Sequence, residues 1–327
     1  MKKAISILLL AGSLIVTGCG SSNDDYNQVS GQQGNPSPII TPTTTPTPPP
    51  ATPGWFVEVG AGAGSYATGD AFGSIQDASN AAAAANNGDN TITVRAGTYT
   101  ETVTLANNQR LLGTPGGNRP VLSGSITLAD GNTVDFLRIQ DSTDDAISGD
   151  GKNGGAITNS EIVAPGNDAI SVEFAIGNWT ISGNNISGAQ TNGAGVVHTA
   201  NNSISARFRV ENNIFTNNEG AAVTFLNTDA SQVTARIADN VMTGNFPGST
   251  VEIIVSNSST FGLDLEDNQN DDVYGLAISN SAATFQVEQL SVLTQPRPAG
   301  AGNTGTEDLL ATGGASFTDI PEGTLGF

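Results

Sequence analysis

Five stretches recur through the middle of this chain: Ser160-Glu161-Ile162, Asn184-Asn185-Ile186, Asn212-Asn213-Ile214, Asp239-Asn240-Val241 and Asp267-Asn268-Gln269. Their last residues are 24, 28, 27 and 28 positions apart, and each stretch follows a short β-rich run. A fixed period of about 20 to 50 residues indicates stacked units of supersecondary structure. Each period holds two or three short strand patterns and no helical apolar pattern. The repeats therefore predict an all-β fold, a single-stranded right-handed parallel β-helix.

A second set of apolar anchors recurs with the same period. Each of the first four stretches is followed, 8 to 10 residues on, by a further strand pattern anchored at Ile170, Val196, Val223 or Val251. Asp145-Ala146-Ile147 also returns one period later as Asp168-Ala169-Ile170. We expect one turn of the coil per period, about seven to nine coils in all, each hydrogen-bonded to the next at about 4.8 Å.

The Asn residues suit the turns between these strands. Asn tolerates the left-handed conformation that sharp turns need, and stacked Asn side chains can hydrogen-bond from coil to coil. One irregularity interrupts the pattern: Ile181 and Val210 are 29 residues apart, whereas Ile186 and Ile214 are 28 apart. This difference predicts a β-bulge between Ile181 and Val210.

Composition limits the possible partners. The 327 residues suffice for one sizeable core, and the formal net charge is −20. Without the two Lys at the N-terminus, the positive charges are Lys152 and eight Arg. Nucleic acid is therefore not expected as a partner, because phosphate binding needs a basic face. The acidity also argues against a polyanionic substrate unless calcium bridges the charges. Cys19 is the only cysteine, so a disulfide within the chain is excluded.

Residues 1–18 have the pattern of a signal peptide. Two Lys residues precede an apolar stretch that is too short for a stable membrane span. The end of this segment, Val16-Thr17-Gly18-Cys19, resembles the lipobox of bacterial lipoproteins. The resemblance implies cleavage before Cys19 and a lipid on that residue. With Gly20-Ser21 following, it also implies an anchor in the outer membrane of a bacterial cell envelope. The alternative is an ordinary secretory peptide with an incidental Cys.

The rest of the chain divides into three parts. Residues 19–54 predict a disordered tether, residues 55–293 the β-helix with its N-terminal cap, and residues 294–327 a C-terminal tail or cap. The Thr/Pro-rich part of the tether favours polyproline II and cannot form a core. At about 3.1 Å per residue the tether could hold the folded domain up to about 100 Å from the membrane.

The start of the folded region predicts a capping helix. Ile75 to Ala85 is rich in Ala, with Ser74 as its N-cap and Gly88 beyond its end. Its apolar side can cover the open edge of the first coil. Together with the repeats, several motifs here resemble the N-terminal stretch of the pectin-lyase-like right-handed β-helix superfamily: Ser74-Ile75-Gln76-Asp77-Ala78, Gly88-Asp89, Ile92-Thr93-Val94, Ala96-Gly97-Thr98-Tyr99, Glu101 and Leu111-Leu112-Gly113.

The resemblance covers residues 55–290, approximately, and it is specific for fold rather than for function. The superfamily includes polysaccharide lyases, glycoside hydrolases, pectin esterases, uronate epimerases, phage tailspikes and non-catalytic adhesins. The Gly-His-Gly and Arg-Ile-Lys motifs of the polygalacturonase type and the Asp-Pro-His motif of alginate epimerases are absent from this sequence. The single His, His198, cannot build a metal site alone and is expected as a surface or wall residue.

Polysaccharide lyases of this superfamily generally bind calcium through Asp or Glu and use an Arg or Lys to remove a proton from the sugar. By that resemblance Arg138, Lys152 and Asp145 are catalytic candidates. Asp144, Asp145 and Asp168 are candidate calcium ligands. Asp145 and Asp168 lie one period apart, so we expect them to stack on adjacent coils. The alternative is that both precede a strand because Asp suits the turn there.

Asp264, Glu266 and Asp267 form a second candidate calcium set. Asp264 and Glu266 alternate with inward leucines, which predicts that both carboxylates point outward. A solvated acidic face that binds nothing is the alternative. Trp179 is expected in the core, so the sequence predicts no aromatic platform for a sugar.

These observations favour a cell-envelope lipoprotein whose β-helix binds or processes polysaccharide and whose membrane contact is the lipid on Cys19. Binding is favoured over catalysis because the catalytic motifs are missing. Two alternatives stay open. One is a non-catalytic structural or adhesive protein that contacts another surface protein, for which we expect flat walls. The other is a calcium-dependent polysaccharide lyase, for which we expect a groove with Arg138 or Lys152 close to an Asp cluster.

Overall fold

The structure of the chain, a computed structural model, describes residues 52–115, 118–245, 249–293 and 303–327. The predicted signal peptide, Cys19 and nearly all of the tether lie outside these ranges. The described chain winds into a parallel β-helix of about seven turns, which confirms the predicted fold class. Within these ranges, no helix is long and apolar enough to cross a membrane.

Three parallel sheets form the walls of the β-helix, with 11, 9 and 8 strands. The 11-stranded sheet, called the long sheet, contains β1 Trp55–Val57, β2 Thr91–Val94, β5 Arg110–Gly113, β8 Asn132–Asp135, β11 Asn153–Thr158, β14 Ile176–Ser182, β17 Ser205–Glu211, β20 Gln232–Ala238, β23 Thr260–Glu266, β26 Thr284–Glu288 and β28 Phe317–Ile320. The nine-stranded sheet contains β4 Val103–Thr104, β7 Ile126–Thr127, β10 Ile147–Ser148, β13 Ile170–Ser171, β16 Val196–Ala200, β19 Val223–Asn227, β22 Val251–Val255, β25 Val273–Ser279 and β27 Thr306–Thr312. The eight-stranded sheet contains β3 Thr98–Thr100, β6 Val121–Ser123, β9 Arg138–Gln140, β12 Glu161–Val163, β15 Asn185–Ser187, β18 Ile214–Thr216, β21 Val241–Thr243 and β24 Gln269–Asn270.

The second set of anchors pairs as the period predicted. Ile147 pairs with Ile170, and Val196, Val223 and Val251 follow on successive coils. All of these side chains are buried. Each anchor therefore stacks on an apolar residue one coil away, and these positions form a continuous apolar column inside the β-helix.

The predicted alignment of the repeated stretches is wrong by one residue between the second and third stretches, whereas Ile214, Val241 and Gln269 of the last three pair as predicted. Ile186 pairs with Phe215 rather than with Ile214, and Phe215 pairs with Met242. Phe215 and Met242 are buried, whereas Ile214 points outward and is 44% exposed. The stretch offers two adjacent apolar residues, and the inward position belongs to the larger one.

With this register the predicted bulge disappears. β14 and β17 pair without interruption from Gly177 to Ser182, and Ile181 lies directly opposite Val210. The spacing of 29 is therefore the true repeat at this coil. The register does shift one coil earlier, between Asn153 and Gly155 of β11.

A ladder of buried Asn side chains fixes the turn between the long sheet and the eight-stranded sheet. The side-chain nitrogen of each member donates to the side-chain oxygen of the next, over 2.9–3.0 Å. The same nitrogen donates to a backbone carbonyl of an earlier coil, as from Asn240 to Val210 at 2.8 Å. The members are Asn184, Asn213, Asn240, Asn268 and Asn303. The prediction that Asn residues stack is confirmed at this turn.

The helix α1, Ile75–Ala85, covers the first coil as predicted. Ser74 is its N-cap and accepts a hydrogen bond from the Asp77 N–H. Ile75, Ala78 and Ala82 form the buried face of the helix. The Glu101 carboxylate, from the turn after β3, accepts hydrogen bonds from the N–H groups of Ile75 and Gln76 and from the Ser74 hydroxyl, at 2.8–3.0 Å. Glu101 therefore locks the cap onto the coil below it.

Replacing Glu101 with Ala is expected to lower the free energy of unfolding by about 2 kcal/mol, because two helix N–H groups lose their acceptor. Urea unfolding followed by circular dichroism measures this loss. Asp77→Ala removes an exposed carboxylate from the same helical turn and serves as the control, with an expected loss below about 1 kcal/mol. Equal losses in the two variants would contradict the capping role of Glu101.

At the other end, the described part of the predicted tail continues two of the sheets. β27 pairs with β25, and β28 pairs with β26. The 3₁₀ helix Leu290–Val292 precedes this last coil. Beyond β28, residues 321–327 turn back over the outer face of the long sheet, where Arg207 donates to the carbonyl of Gly326 at 2.6 Å.

Candidate functional site

Asp145 and Asp168 stack on adjacent coils, as the period predicted. The Asp145 carboxylate accepts hydrogen bonds from the Asp168 N–H at 3.1 Å and from the Asn167 amide at 2.9 Å. The Asp168 carboxylate accepts one from the Ala194 N–H at 2.6 Å. Each carboxylate thus holds the backbone of the next coil, which is the turn role that the sequence left open as the alternative.

The half-buried position of these carboxylates changes their proton affinity. Burial raises the pKa of Asp168 to about 6, although the hydrogen bond from the Ala194 N–H acts in the opposite direction. Burial also raises the pKa of Asp145, against its hydrogen bonds from Asn167 and Asp168. Asp168 can therefore exchange a proton near neutral pH, a property that a general acid needs.

The two predicted basic residues lie at different places in the coil. Arg138 lies in β9, where its guanidinium donates to Glu161 and to Gln140, both at 2.9 Å. Lys152 lies in the turn between β10 and β11. Asp144 is exposed, and its backbone carbonyl accepts a hydrogen bond from Ser142. The catalytic roles of Arg138, Lys152 and Asp145 stay predictions.

The second candidate set surrounds an arginine. Arg236 pairs with Asp264, with Glu266 at 2.8 Å and with Glu211 at 3.0 Å. Asp264 is only 4% exposed, so the interpretation of this residue as part of a solvated acidic face is wrong. Burial raises the pKa of Asp264, and the charge of Arg236 opposes that effect. Asp267 occupies a left-handed turn position after β23, with φ of 49°.

Several carboxylates of the two candidate calcium sets already have partners within the protein. Calcium takes about six to eight oxygen ligands. In the first set, Asp145 and Asp168 accept hydrogen bonds from backbone N–H groups, and in the second set Asp264 and Glu266 pair with Arg236. Among the residues that the structure describes, no group of three or more His, Cys, Asp or Glu side chains is placed to hold a metal ion. Calcium binding stays a prediction.

Asp168 also lines an acidic cleft that the sequence did not predict. The cleft has a volume of about 370 Å³, and Asn192, Ala194 and Thr224 line it with the carboxylates of Asp168, Glu219 and Glu252. These three acidic residues come from different coils, and only the register brings them to one cleft. Glu219 accepts a hydrogen bond from the Asn192 N–H at 3.3 Å, so part of the cluster holds the turn.

A larger concavity lies on the outer face of the long sheet. Two adjoining cavities of about 330 and 410 Å³ share Asn178 and Arg207 in their walls. We call them together the long-sheet groove. The other lining residues are Gly177, Trp179, Thr180, Ser205, Ala206, Arg209, Gln232, Val233, Thr234 and Thr260. The lining is rich in hydroxyl and amide groups, and its charged members are Arg207 and Arg209.

The register of the long sheet builds this groove. Asn178 pairs with Arg207, and Thr180 pairs with Arg209, so two polar rows run across the coils. Trp179 is 1% exposed between these rows, as predicted for a core residue. At the start of β14, Ile176 precedes Gly177 of the groove, and both Ile176 and Phe174 are about 40% exposed. Phe174 has φ of 55°, an uncommon conformation for a bulky side chain.

Sequence reasoning missed the groove, although one signal was available. Arg207, Arg209 and Arg236 are three of the eight Arg residues of a strongly acidic chain. They occupy outward positions on two adjacent strands. Inward Phe208 and Val210 fix this alternation. A cluster of Arg on one outer face of an acidic protein indicates a site for a negatively charged group. Carboxylates neutralise part of this cluster, because Arg236 pairs with Glu211, Asp264 and Glu266, and Arg209 lies 3.4 Å from Glu211.

Comparison with known proteins adds no closer assignment, since no family model, no curated protein and no solved structure matches this chain. The resemblance to the pectin-lyase-like superfamily therefore rests on the motifs of the sequence. The structure supports the coarser statement. The chain forms a parallel β-solenoid that is consistent with a β-helix superfamily.

Proposed function

We propose that this chain is a cell-envelope lipoprotein that binds an acidic polysaccharide in the long-sheet groove. The observation that carries the proposal is the lining of that groove, where Arg207 and Arg209 stand among neutral hydroxyl and amide groups. The fold is compatible with polysaccharide binding or processing. The overall negative charge of the chain repels a polyanion from the other faces of the protein, so attraction is confined to the face with the groove.

The chemistry of the lining suits a sugar chain. Hydroxyl and amide groups of Asn178, Ser205, Gln232 and Thr234 can exchange hydrogen bonds with sugar hydroxyls. A guanidinium forms paired, charge-assisted hydrogen bonds with a carboxylate or a sulfate. The row of Asn178, Arg207 and Thr234 places one polar side chain on each of three adjacent coils, about 4.8 Å apart, so an extended polymer can meet one partner per coil.

The groove also separates this hypothesis from the two alternatives. A purely adhesive surface was expected to have flat walls, and the concave lining favours a bound chain instead. A lyase was expected to bring Arg138 or Lys152 close to an Asp cluster. Arg138 instead bonds to Glu161 and Gln140, and the role of Lys152 stays a prediction, so binding is the function that the groove supports best.

A binding measurement on the full-length protein in detergent tests the proposal. Sodium polygalacturonate, alginate and chondroitin sulfate are the acidic probes, and dextran is the neutral one. Ultraviolet absorbance of unsaturated products in the same samples reports lyase activity. Binding of none of the acidic polymers, or equal binding of dextran, overturns the proposal, and unsaturated products would favour the lyase alternative.

The double variant Arg207→Gln, Arg209→Gln is expected to weaken binding of the best acidic polymer about tenfold or more, because the charge-assisted hydrogen bonds are lost. Isothermal titration calorimetry measures the change. Arg110→Gln is the matched control, since Arg110 is an exposed arginine of the same sheet on an earlier coil. If Arg110→Gln weakened polymer binding as much as the double variant does, net charge and not the groove would attract the polymer.

The proposed anchor has a separate test. Wild-type protein expressed in a bacterium is expected to incorporate labelled palmitate, and Cys19→Ala is expected to lose the label because its thiol is the proposed acceptor. Labelling is compared with total protein by immunoblot. A variant that still carries label would refute lipidation at Cys19 and leave polysaccharide binding unaffected.

A further inference from the structure

Residues 321–327, here called the strap, lie against the long sheet beside the groove. The hydrogen bonds that join the strap to the sheet run through side chains of the sheet. The Glu288 carboxylate accepts hydrogen bonds from the N–H groups of Gly323 at 2.9 Å and Leu325 at 2.6 Å. Arg207 donates to the carbonyls of Leu325 at 3.3 Å and Gly326 at 2.6 Å.

The sheet carries a notch for the side chain of Leu325. Gly262 sits in the middle of β23, and a Cβ atom added there would lie 2.7 Å from a methyl group of Leu325. Glycine weakens a strand, so its presence at this position fits a close approach by another segment. Glu288, which accepts the two hydrogen bonds from the strap, is only 2% exposed. The strap is therefore seated at a defined place.

The strap lies against the two arginines of the groove. The Phe327 ring lies 4.1 Å from the Arg207 guanidinium and 5.9 Å from that of Arg209. Both arginines line the groove. An Arg207 guanidinium that donates to the strap carbonyls cannot at the same time give the same N–H group to a carboxylate of a polymer. Binding of the strap to the long sheet therefore competes with full occupation of the groove by a polymer.

The strap can also leave without dismantling the fold. Two of its own hydrogen bonds stay within it, from the Thr324 N–H to Pro321 and from the Gly326 N–H to Gly323. The preceding strand β28 remains paired with β26 through four residues. Release of the strap therefore leaves the last coil in place and exposes the carboxylate of Glu288 to water.

We propose that the strap is a displaceable gate, which holds Arg207 in the free protein and which an acidic polysaccharide displaces on binding. This inference rests on the proposed function. When the competent state is only partly populated, the apparent affinity falls by that fraction. Removing the strap, or weakening its attachment to the sheet, should therefore tighten binding of the polymer.

Two variants test the gate by independent routes. Deletion of residues 321–327 removes the strap, and Leu325→Ala removes the side chain that fills the notch while leaving the groove lining unchanged. Dissociation constants for the three acidic polymers are measured on full-length protein in detergent, after circular dichroism has shown native β content. Both variants are expected to bind about fivefold or more tightly than the wild type. Glu322→Gln, an exposed strap residue whose side chain contacts Gln289, is the matched control and is expected to bind as the wild type does.

Hydrogen exchange on the wild type gives a second readout. Saturating polymer is expected to speed exchange of the Leu325 N–H, because its bond to Glu288 is broken. Wild-type binding with unchanged affinity in the two variants, or tightening in only one, overturns the gate and leaves the proposed function standing. Binding by the variants alone overturns both, because the polymer would then be unable to displace the strap from the wild-type protein. Binding by no form of the protein overturns the proposed function and the gate with it.

Discussion

Replacing Asn184 with Ala is expected to lower the free energy of unfolding by about 4 kcal/mol. The side-chain nitrogen of Asn184 donates to the Ile157 carbonyl at 2.8 Å and to the Asn213 side chain at 3.0 Å. Its side-chain oxygen accepts from the Ser160 N–H at 2.9 Å. Alanine would leave a buried carbonyl and a buried N–H without these partners, each at a cost of about 1–3 kcal/mol.

The chain supplies a matched control at the next position. Asn185 is exposed at the start of β15, so Asn185→Ala removes the same chemical group from the surface and is expected to change the free energy by less than about 0.5 kcal/mol. Urea unfolding of both variants, followed by circular dichroism, measures the difference. Similar losses in the two variants would mean that the Asn ladder does not hold the coils together.

The same ladder shows why the fold could be predicted from the sequence. In a β-helix every coil meets only its neighbours, so one inward pattern has to recur with the period of the coil. Buried residues such as Ile170 and Val196 repeat that pattern in the sequence and pair as expected. The alignment failed at Asn213-Ile214-Phe215, where two apolar residues are adjacent. Asn213 marks the correct position, because its buried side chain bonds to Asn184 on the coil before.

The candidate site was less accessible to sequence reasoning, because it is made from outward positions. Core packing fixes which residues point outward, but the period alone does not say which outward residues meet across coils. Arg207 and Thr234 meet because β17 and β20 pair in one particular register. The strap adds a contact between residues more than 100 positions apart, from Arg207 to Gly326, for which no repeat provides a signal.

His198 should make the protein less stable in mild acid. It was expected as a surface or wall residue, but it is 1% exposed inside the β-helix, against Phe208 at 4.5 Å and Phe225 at 5.8 Å between ring centroids. One ring nitrogen bonds to the Val172 carbonyl at 2.6 Å, and the other, Nε2, is buried without a partner among the described residues. Burial lowers the pKa of His198 from the ordinary 6.5 to about 4, although the bond to Val172 and the charge of Asp150 act in the opposite direction.

The sign of the effect follows from where the proton binds. Between pH 6.5 and about 4 the unfolded chain protonates this imidazole and the folded chain does not. The stability that the neutral ring contributes is therefore complete above pH 6.5 and falls as the pH drops to about 4. The difference of the two pKa values corresponds to about 3 kcal/mol. Asp168 acts in the opposite direction, because its raised pKa of about 6 makes the folded state the stronger proton acceptor in the same range.

His198→Phe isolates the contribution of the imidazole from that of Asp168. Phenylalanine keeps an aromatic ring beside Phe208 and Phe225, and the Val172 carbonyl still accepts from the Ala175 N–H at 3.3 Å. At pH 7.5 the variant is expected to lie within about 1 kcal/mol of the wild type. At pH 4 it is expected to be more stable than the wild type by about 3 kcal/mol. Urea unfolding at both pH values measures this, and a free-energy difference that does not change with pH would show that His198 is protonated or solvated in the folded protein.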